Sequence, residues 1–170
     1  MKLRLAQNHD LDQIEVMLED ARAFLKASGS SQWQSGSPNR EVFAQDIANG
    51  TCYVLEDQKQ VIAVATLLVG PNPSYAEIRD GSWLQASDNY IAIHRVVTSG
   101  KIRGKGLGKI FLQMLLAHIQ SQGFKAARID TFRINYPMQK VATKVGFNYC
   151  GLVTVDDPID GERLAYEVVF

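Results

Sequence analysis

The sequence predicts a mixed α/β fold, with parallel and antiparallel strands in one sheet, as a single domain over residues 1–170. Three observations carry that prediction. Between Tyr90 and Arg133 a β-type segment, a glycine-rich turn, an amphipathic run and a second β-type segment follow one another. That is a βαβ unit, whose two strands run parallel. Pairs of strand-like segments joined by polar turns lie on either side, within 51–69 and 149–170, as in antiparallel hairpins. Two helical stretches precede the first pair. The resulting order is β-α-α-β-β-β-α-β-α-β-β. With 170 residues, 46% hydrophobic and 21% charged, the chain can bury a substantial core.

Taken in order, Leu3 to Ala6 is a short strand. Asp10 is placed to cap a helix on which Leu11, Ile14, Met17, Leu18, Ala21, Phe24 and Leu25 share one face. A loop rich in Ser, Gly and Pro follows, with Trp33 in its middle as a packing anchor or a pocket wall. Asn39 caps a shorter helix with Val42, Phe43 and Ile47 inward. Thr51 to Glu56 and Val61 to Val69 are strands, and Gly70-Pro71-Asn72-Pro73 stops the second. Ser74 to Asn89 has no clean period and reads as a short helix or a covering loop. Tyr90 to Thr98 is apolar on both faces apart from His94 and Arg95, which suits a central strand. The helix after it carries Leu107, Ile110, Phe111, Met114, Leu115 and Ile119 on one stripe and ends at Gln122-Gly123. Ala126 to Arg133 is the parallel partner strand. Asn135 caps the last helix, with Tyr136 and Pro137 in its first turn, Val141, Val145 and Phe147 inward and Gly146 at its end. Two closing strands flank the turn at 156–161. Cys52 and Cys150, far apart in strand contexts, are expected as buried thiols.

A β-strand that feeds a glycine-rich turn and then a helix is built for phosphate, because helix-start amides lack internal partners and the helix dipole favours an anion. Spacing narrows the ligand. A nucleoside-triphosphate loop would need a glycine at 105 or 109, where Lys105 and Lys109 stand; the dinucleotide fingerprint also fails at Lys109. What remains is Arg103-x-x-Gly106-x-Gly108 after a hydrophobic strand. This turn resembles the coenzyme-A-binding motif of the GNAT (Gcn5-related) N-acetyltransferases. The segment Asn135-x-x-Met138-x-x-Val141-Ala142-x-Lys144-x-Gly146-Phe147 is similar to a second stretch of that family, and the element order is the family's own.

The resemblance implies a sheet splayed between its fourth and fifth strands, with acetyl-CoA as cosubstrate and no metal. It implies that the amides of Arg103, Gly104, Lys105, Gly106, Leu107, Gly108 and Lys109 hold the pyrophosphate. The backbone of Val96, Val97 and Thr98 would pair with the pantetheine arm, which Asn135 also contacts. An N–H near Val97 would face the thioester oxygen. An amine acceptor is mostly protonated at neutral pH, so a base is useful. His94 is the candidate, against a structural histidine as the alternative, and Asp130 is a weaker candidate to orient it. The family's leaving-group tyrosine is absent: Ala142 holds its position, and Tyr136, Tyr149 or water would have to serve.

The function expected is acetyl transfer from acetyl-CoA to an amine of a small molecule or an exposed amino group. The alternative is a non-catalytic acyl-CoA-binding or sensing module on the same fold. The acceptor pocket is expected around Trp33, Tyr75, Glu77 and Trp83. Equal numbers of basic and acidic residues, 18 each, argue against a nucleic-acid surface. No apolar run approaches membrane-spanning length and no export signal begins the chain, so a cytoplasmic protein is expected. By analogy with the family, the closing strands could support a homodimer.

Overall fold

The computed structural model describes residues 1–170, and its elements follow the expected order. They are β1 (Lys2–Leu5), α1 (Leu11–Ala27), α2 (Arg40–Ala48), β2 (Cys52–Asp57), β3 (Gln60–Val69), β4 (Tyr90–Thr98), α3 (Leu107–Ser121), β5 (Ala126–Thr131), α4 (Tyr136–Lys144), β6 (Asn148–Thr154) and β7 (Glu162–Val169). The seven strands form one mixed sheet in the order β1-β2-β3-β4-β5-β7-β6. The chain groups into two compact units. One comprises Met1–Leu67 and His94–Phe111, the other Leu68–Ile93 and Leu112–Phe170. No shift in composition marks the border, because it falls inside β3, β4 and α3.

In the first unit, α1 buries Leu11, Ile14, Met17, Leu18 and Leu25. Phe43, Cys52, Val54, Val61, Val64 and Val97 join this core. Asn39 caps α2 as expected, its Oδ1 accepting the Val42 N–H at 3.0 Å. Asp10 precedes α1, but its side chain makes no cap bond. Its carboxylate instead accepts from the Gln7 N–H and, bidentately, from Arg4 on β1 at 2.7 and 2.9 Å. A charge-assisted fork is stronger than a neutral cap bond, so Arg4 wins the carboxylate. The β2–β3 hairpin turns at Gln58 and Lys59, both with left-handed backbone (φ 48° and 64°), the geometry that matches strand twist.

In the second unit, β4 and β5 pair in parallel from Tyr90↔Ala126 to Ala92↔Arg128. β7 lies antiparallel along all of β5, from Ala126↔Val169 to Thr131↔Leu164, and β6 pairs with its other edge. The segment of uncertain type, 74–89, contains one short helical turn, Pro73–Tyr75, and is otherwise a covering loop. A buried ion pair holds it. Arg128 Nε donates to Glu167 Oε1 at 2.7 Å, and Glu167 Oε2 accepts the N–H groups of Leu84 and Gln85. The Arg128 guanidinium lies 4.1 Å from the Trp83 ring centre and 3.9 Å from that of Tyr90.

Two helix faces differ from expectation. In α3 the buried residues are Leu107, Phe111, Leu112, Leu115, Leu116 and Ile119, while Ile110 is 38% exposed and Met114 half-buried. The apolar run is continuous enough to offer two overlapping stripes, and the packed one is centred further round the helix. In α4 the fully buried residue is Ala142, with Val141 and Val145 only half-buried. The end of α4 is as expected, Gly146 adopting positive φ and Phe147 N–H donating to the Ala142 carbonyl at 3.1 Å. Both cysteines are buried and unbridged. No helix is long and apolar enough to cross a membrane.

Candidate active site

The glycine-rich turn is solvent-exposed from Arg103 to Gly106, and α3 starts at Leu107. Gly104 and Gly106 have φ of +83° and +76°, a conformation that side-chain-bearing residues rarely adopt. A Cβ built on either would meet nothing within 4 Å, so space above the turn is open to a ligand. Ile110 N–H closes the first turn of α3 on the Gly106 carbonyl at 3.1 Å. The amides of Leu107, Gly108 and Lys109 are thereby the open donors of the helix start. No acidic residue sits in that first turn, and Lys105 and Lys109 add positive charge. Arg103 lays its guanidinium over the Phe24 ring of α1, 4.1 Å from its centre, and so ties the turn to that helix. A diphosphate fits these donors by charge and by access.

The end of β4 leads into the turn. Val97 is 2% exposed, its side chain in the first unit's core. Only its backbone is available for recognition. Val96, Thr98 and His94 are half-buried. Ser99 N–H donates to the Ile62 carbonyl at 2.9 Å, fixing the strand's end.

Between His94 and Val96 lies a feature the sequence reading passed over. Arg95 has φ +54° in the middle of a strand. Non-glycine residues held there cost on the order of 1–3 kcal/mol and persist only where their surroundings enforce them. The enforcement is visible. Arg95 Nη1 donates to Asp46 Oδ2 of α2 at 3.0 Å, and the same oxygen accepts the Thr66 hydroxyl of β3 at 2.7 Å. Asp46 and Thr66 are 7% and 0% exposed. One sequence signal could have found Asp46: it stands three residues after Phe43, a charge on the helix face that otherwise turns inward.

The remaining candidates fall as follows. Asp130 Oδ2 accepts the Tyr75 hydroxyl at 2.7 Å. Tyr75 is 3% exposed, and burial first, then the charge of Asp130 and its hydrogen bond, push its phenol well above the ordinary value. Trp83 donates its Nε1–H to the Tyr75 carbonyl at 3.0 Å, and the two rings stand 5.2 Å apart. With Arg128 against the Trp83 ring, both aromatics are engaged in packing the second unit. Glu77 is exposed. Trp33 has φ +63° and packs partly buried against the core of the first unit. Asn135 Oδ1 accepts the Met138 N–H at 3.3 Å, its capping role. Tyr136 and Tyr149 are 68% and 53% exposed. A cavity of about 390 Å³ opens in the second unit, lined by residues that include Asn72, Tyr75, Asp88, Tyr90 and Arg128. No cluster of His, Cys, Asp or Glu has the makings of a metal site.

Against known proteins, the sequence profile described as "Acetyltransferase (GNAT) family" matches residues 17–147. A crystal structure titled as an acetyltransferase of the GNAT family from Streptococcus agalactiae 2603 is 37% identical over 99% of this chain and 95% of that one, with a TM-score of 0.90. YwnH of Bacillus subtilis (strain 168), which carries a provisional phosphinothricin acetyltransferase name, is 23% identical over 99% of this chain and 97% of its own. The PaiA N-acetyltransferase of Thermoplasma acidophilum, solved in complex with coenzyme A, shares the fold at 14% identity and a TM-score of 0.74, over 99% of this chain and 98% of that one.

Proposed function

The chain belongs to the acetyltransferase (GNAT) family and is by that membership an acetyl-CoA-dependent N-acetyltransferase, and from that premise we propose which of its own groups do the work. The turn from Arg103 to Lys109 holds the pyrophosphate, chiefly on the open amides of Leu107, Gly108 and Lys109, since those of Arg103 and Lys105 already donate to the Gly100 and Ile102 carbonyls. The observation that carries this assignment is the pair of left-handed glycines, Gly104 and Gly106, opening onto the unpaired amides that begin α3. The backbone of Val96, Val97 and Thr98 holds the pantetheine arm, a role suited to a segment whose central side chain is already spent in the core. The coenzyme A bound by the Thermoplasma relative supports the ligand at the level of the fold.

His94 takes a proton from the acceptor's ammonium group, making the amine nucleophilic. The Val97 N–H donates to the thioester oxygen while negative charge collects there. The nitrogen–carbon bond forms and the carbon–sulfur bond breaks. The new amide nitrogen sheds its remaining proton, which reaches the departing thiolate through water, since Ala142 is buried and carries no acid. A thiol of ordinary pKa, about 8.5, leaves tolerably without an acid.

The acceptor is a primary amine of a small molecule or an exposed amino group. Thiol release from acetyl-CoA across a panel of amines, amino acids and N-terminal peptides tests the reading. Amine-dependent thiol release with matching acetylated product is expected. Binding of coenzyme A without turnover on any amine would instead favour the acyl-CoA-sensing module.

A further inference from the structure

We propose that Asp46 is a positioning residue for acetyl transfer. Through Arg95 it holds β4 in the left-handed conformation that aims the Val96 and Val97 amides and the His94 imidazole. The inference rests on the function proposed above, but its evidence is separate. A lone left-handed residue inside a strand is how a bulge redirects its neighbours, and it turns adjacent backbone groups out of the ladder. Here that residue is an arginine, for which the conformation is not spontaneous. Its neighbours on either side are the groups assigned to chemistry.

The hold is specific. One carboxylate oxygen, on a residue 7% exposed, receives the guanidinium at 3.0 Å and the Thr66 hydroxyl at 2.7 Å. The Asp46 carbonyl also accepts the Thr51 N–H at 2.9 Å and the Thr51 hydroxyl at 3.1 Å, so α2 cannot slide relative to β2. Nothing in the assigned chemistry needs Asp46 itself, and a buried charge is costly unless paired. Beyond Arg95 the strand and turn are already held, Val97 in the core and Arg103 over the Phe24 ring. Arg95, in the left-handed conformation, is held by Asp46.

The test compares wild type with Asp46→Asn, Arg95→Gly and the double variant, with folding checked by circular dichroism and melting temperature. Glycine adopts positive φ without help, so it replaces the function of the ion pair and not the pair itself. Asp46→Asn is expected to lower kcat at least tenfold and to weaken coenzyme A by less than that, since the turn still holds the pyrophosphate while the arm loses the Val96 and Val97 amides. The double variant is expected to recover to the level of Arg95→Gly, which a merely structural role for Asp46 would not produce. A kcat for Asp46→Asn equal to wild type, or a folded double variant no better than Asp46→Asn, overturns the proposal and leaves the proposed function standing. Should wild type bind coenzyme A without acetylating any amine, that function fails instead. The amide resonances of Val96 and Val97 then decide: the proposal requires that coenzyme A shifts them in wild type and the double variant but not in Asp46→Asn, and equal shifts in all three overturn it.

Discussion

His94 is where removal of one side chain speaks to chemistry rather than to binding. It is half-buried in the turned strand, next to Arg95. His94→Ala is expected to lower kcat about 10²-fold or more, the usual share of a positioned base, and to leave coenzyme A affinity nearly unchanged, as read by steady-state rates and calorimetry. A loss confined to KM would remove His94 from catalysis. At this scale the sequence was partly legible. A histidine interrupting an apolar strand ahead of a phosphate turn stands out by type. Arg95, its neighbour, looked like an ordinary charged residue, because nothing in a side chain announces a positive φ that distant partners impose. Trp33 shows the same limit: its loop was legible from Ser, Gly and Pro and its packing from its size, while its left-handed backbone was not.

At the scale of elements, the turn between β4 and α3 carries the coenzyme assignment, and its glycines test it. A side chain at Gly106 must hold φ +76° and project toward the place assigned to the pyrophosphate. Gly106→Ala is expected to weaken coenzyme A binding by about 10-fold or more while costing only about 1 kcal/mol in stability, in keeping with the strain of a left-handed alanine. Equal affinity in calorimetry would place the pyrophosphate elsewhere. Elements were the most legible scale. β4 begins and ends where its hydrophobic run does, and Asn39 and Asn135 cap the helices their spacing suggested. The failures have physical reasons. Asp10 had a better partner in Arg4 than a helix start. α3 is apolar enough to offer two faces, and only packing chooses between them. The loop at 74–89 has no period because what orders it is not local. Glu167, at the far end of the chain, accepts its amides, and Arg128 stacks on its tryptophan.

The whole molecule is held partly by carboxylates whose ionisation matters. Burial opposes the charge on Asp10 and is the largest single influence, yet Arg4, the Gln7 N–H and the nearby positive charge together hold its carboxyl below the usual range. Asp157 follows the same pattern in the second unit: burial opposes its charge, and the amides of Ile159 and Asp160 together with Arg163 outweigh it. A depressed folded pKa contributes stability above the unfolded value, about 3.9, and loses it as pH falls through the folded one. Melting temperature is therefore expected to hold from neutrality down to about pH 5 and to fall steeply below about pH 4. Asp10→Asn should be less stable at neutral pH and show a shallower acid slope. A slope unchanged from wild type would show that Asp10 is not among the groups responsible. At this scale element order and fold class were legible through the βαβ unit and its flanking hairpins, whereas the order of the strands in the sheet, with β7 between β5 and β6, and the grouping into two units were not, since long-range pairing sets the first and the second cuts through continuous elements.

The acceptor and the chemistry meet in one measurement, the amine-dependent release of coenzyme A thiol by the wild-type protein. The account predicts that at least one primary amine or exposed amino group drives thiol release in step with its own acetylation, and that His94→Ala sharply slows it. Tight binding of coenzyme A with no amine-dependent release, across small amines, amino acids and N-terminal peptides alike, would contradict it.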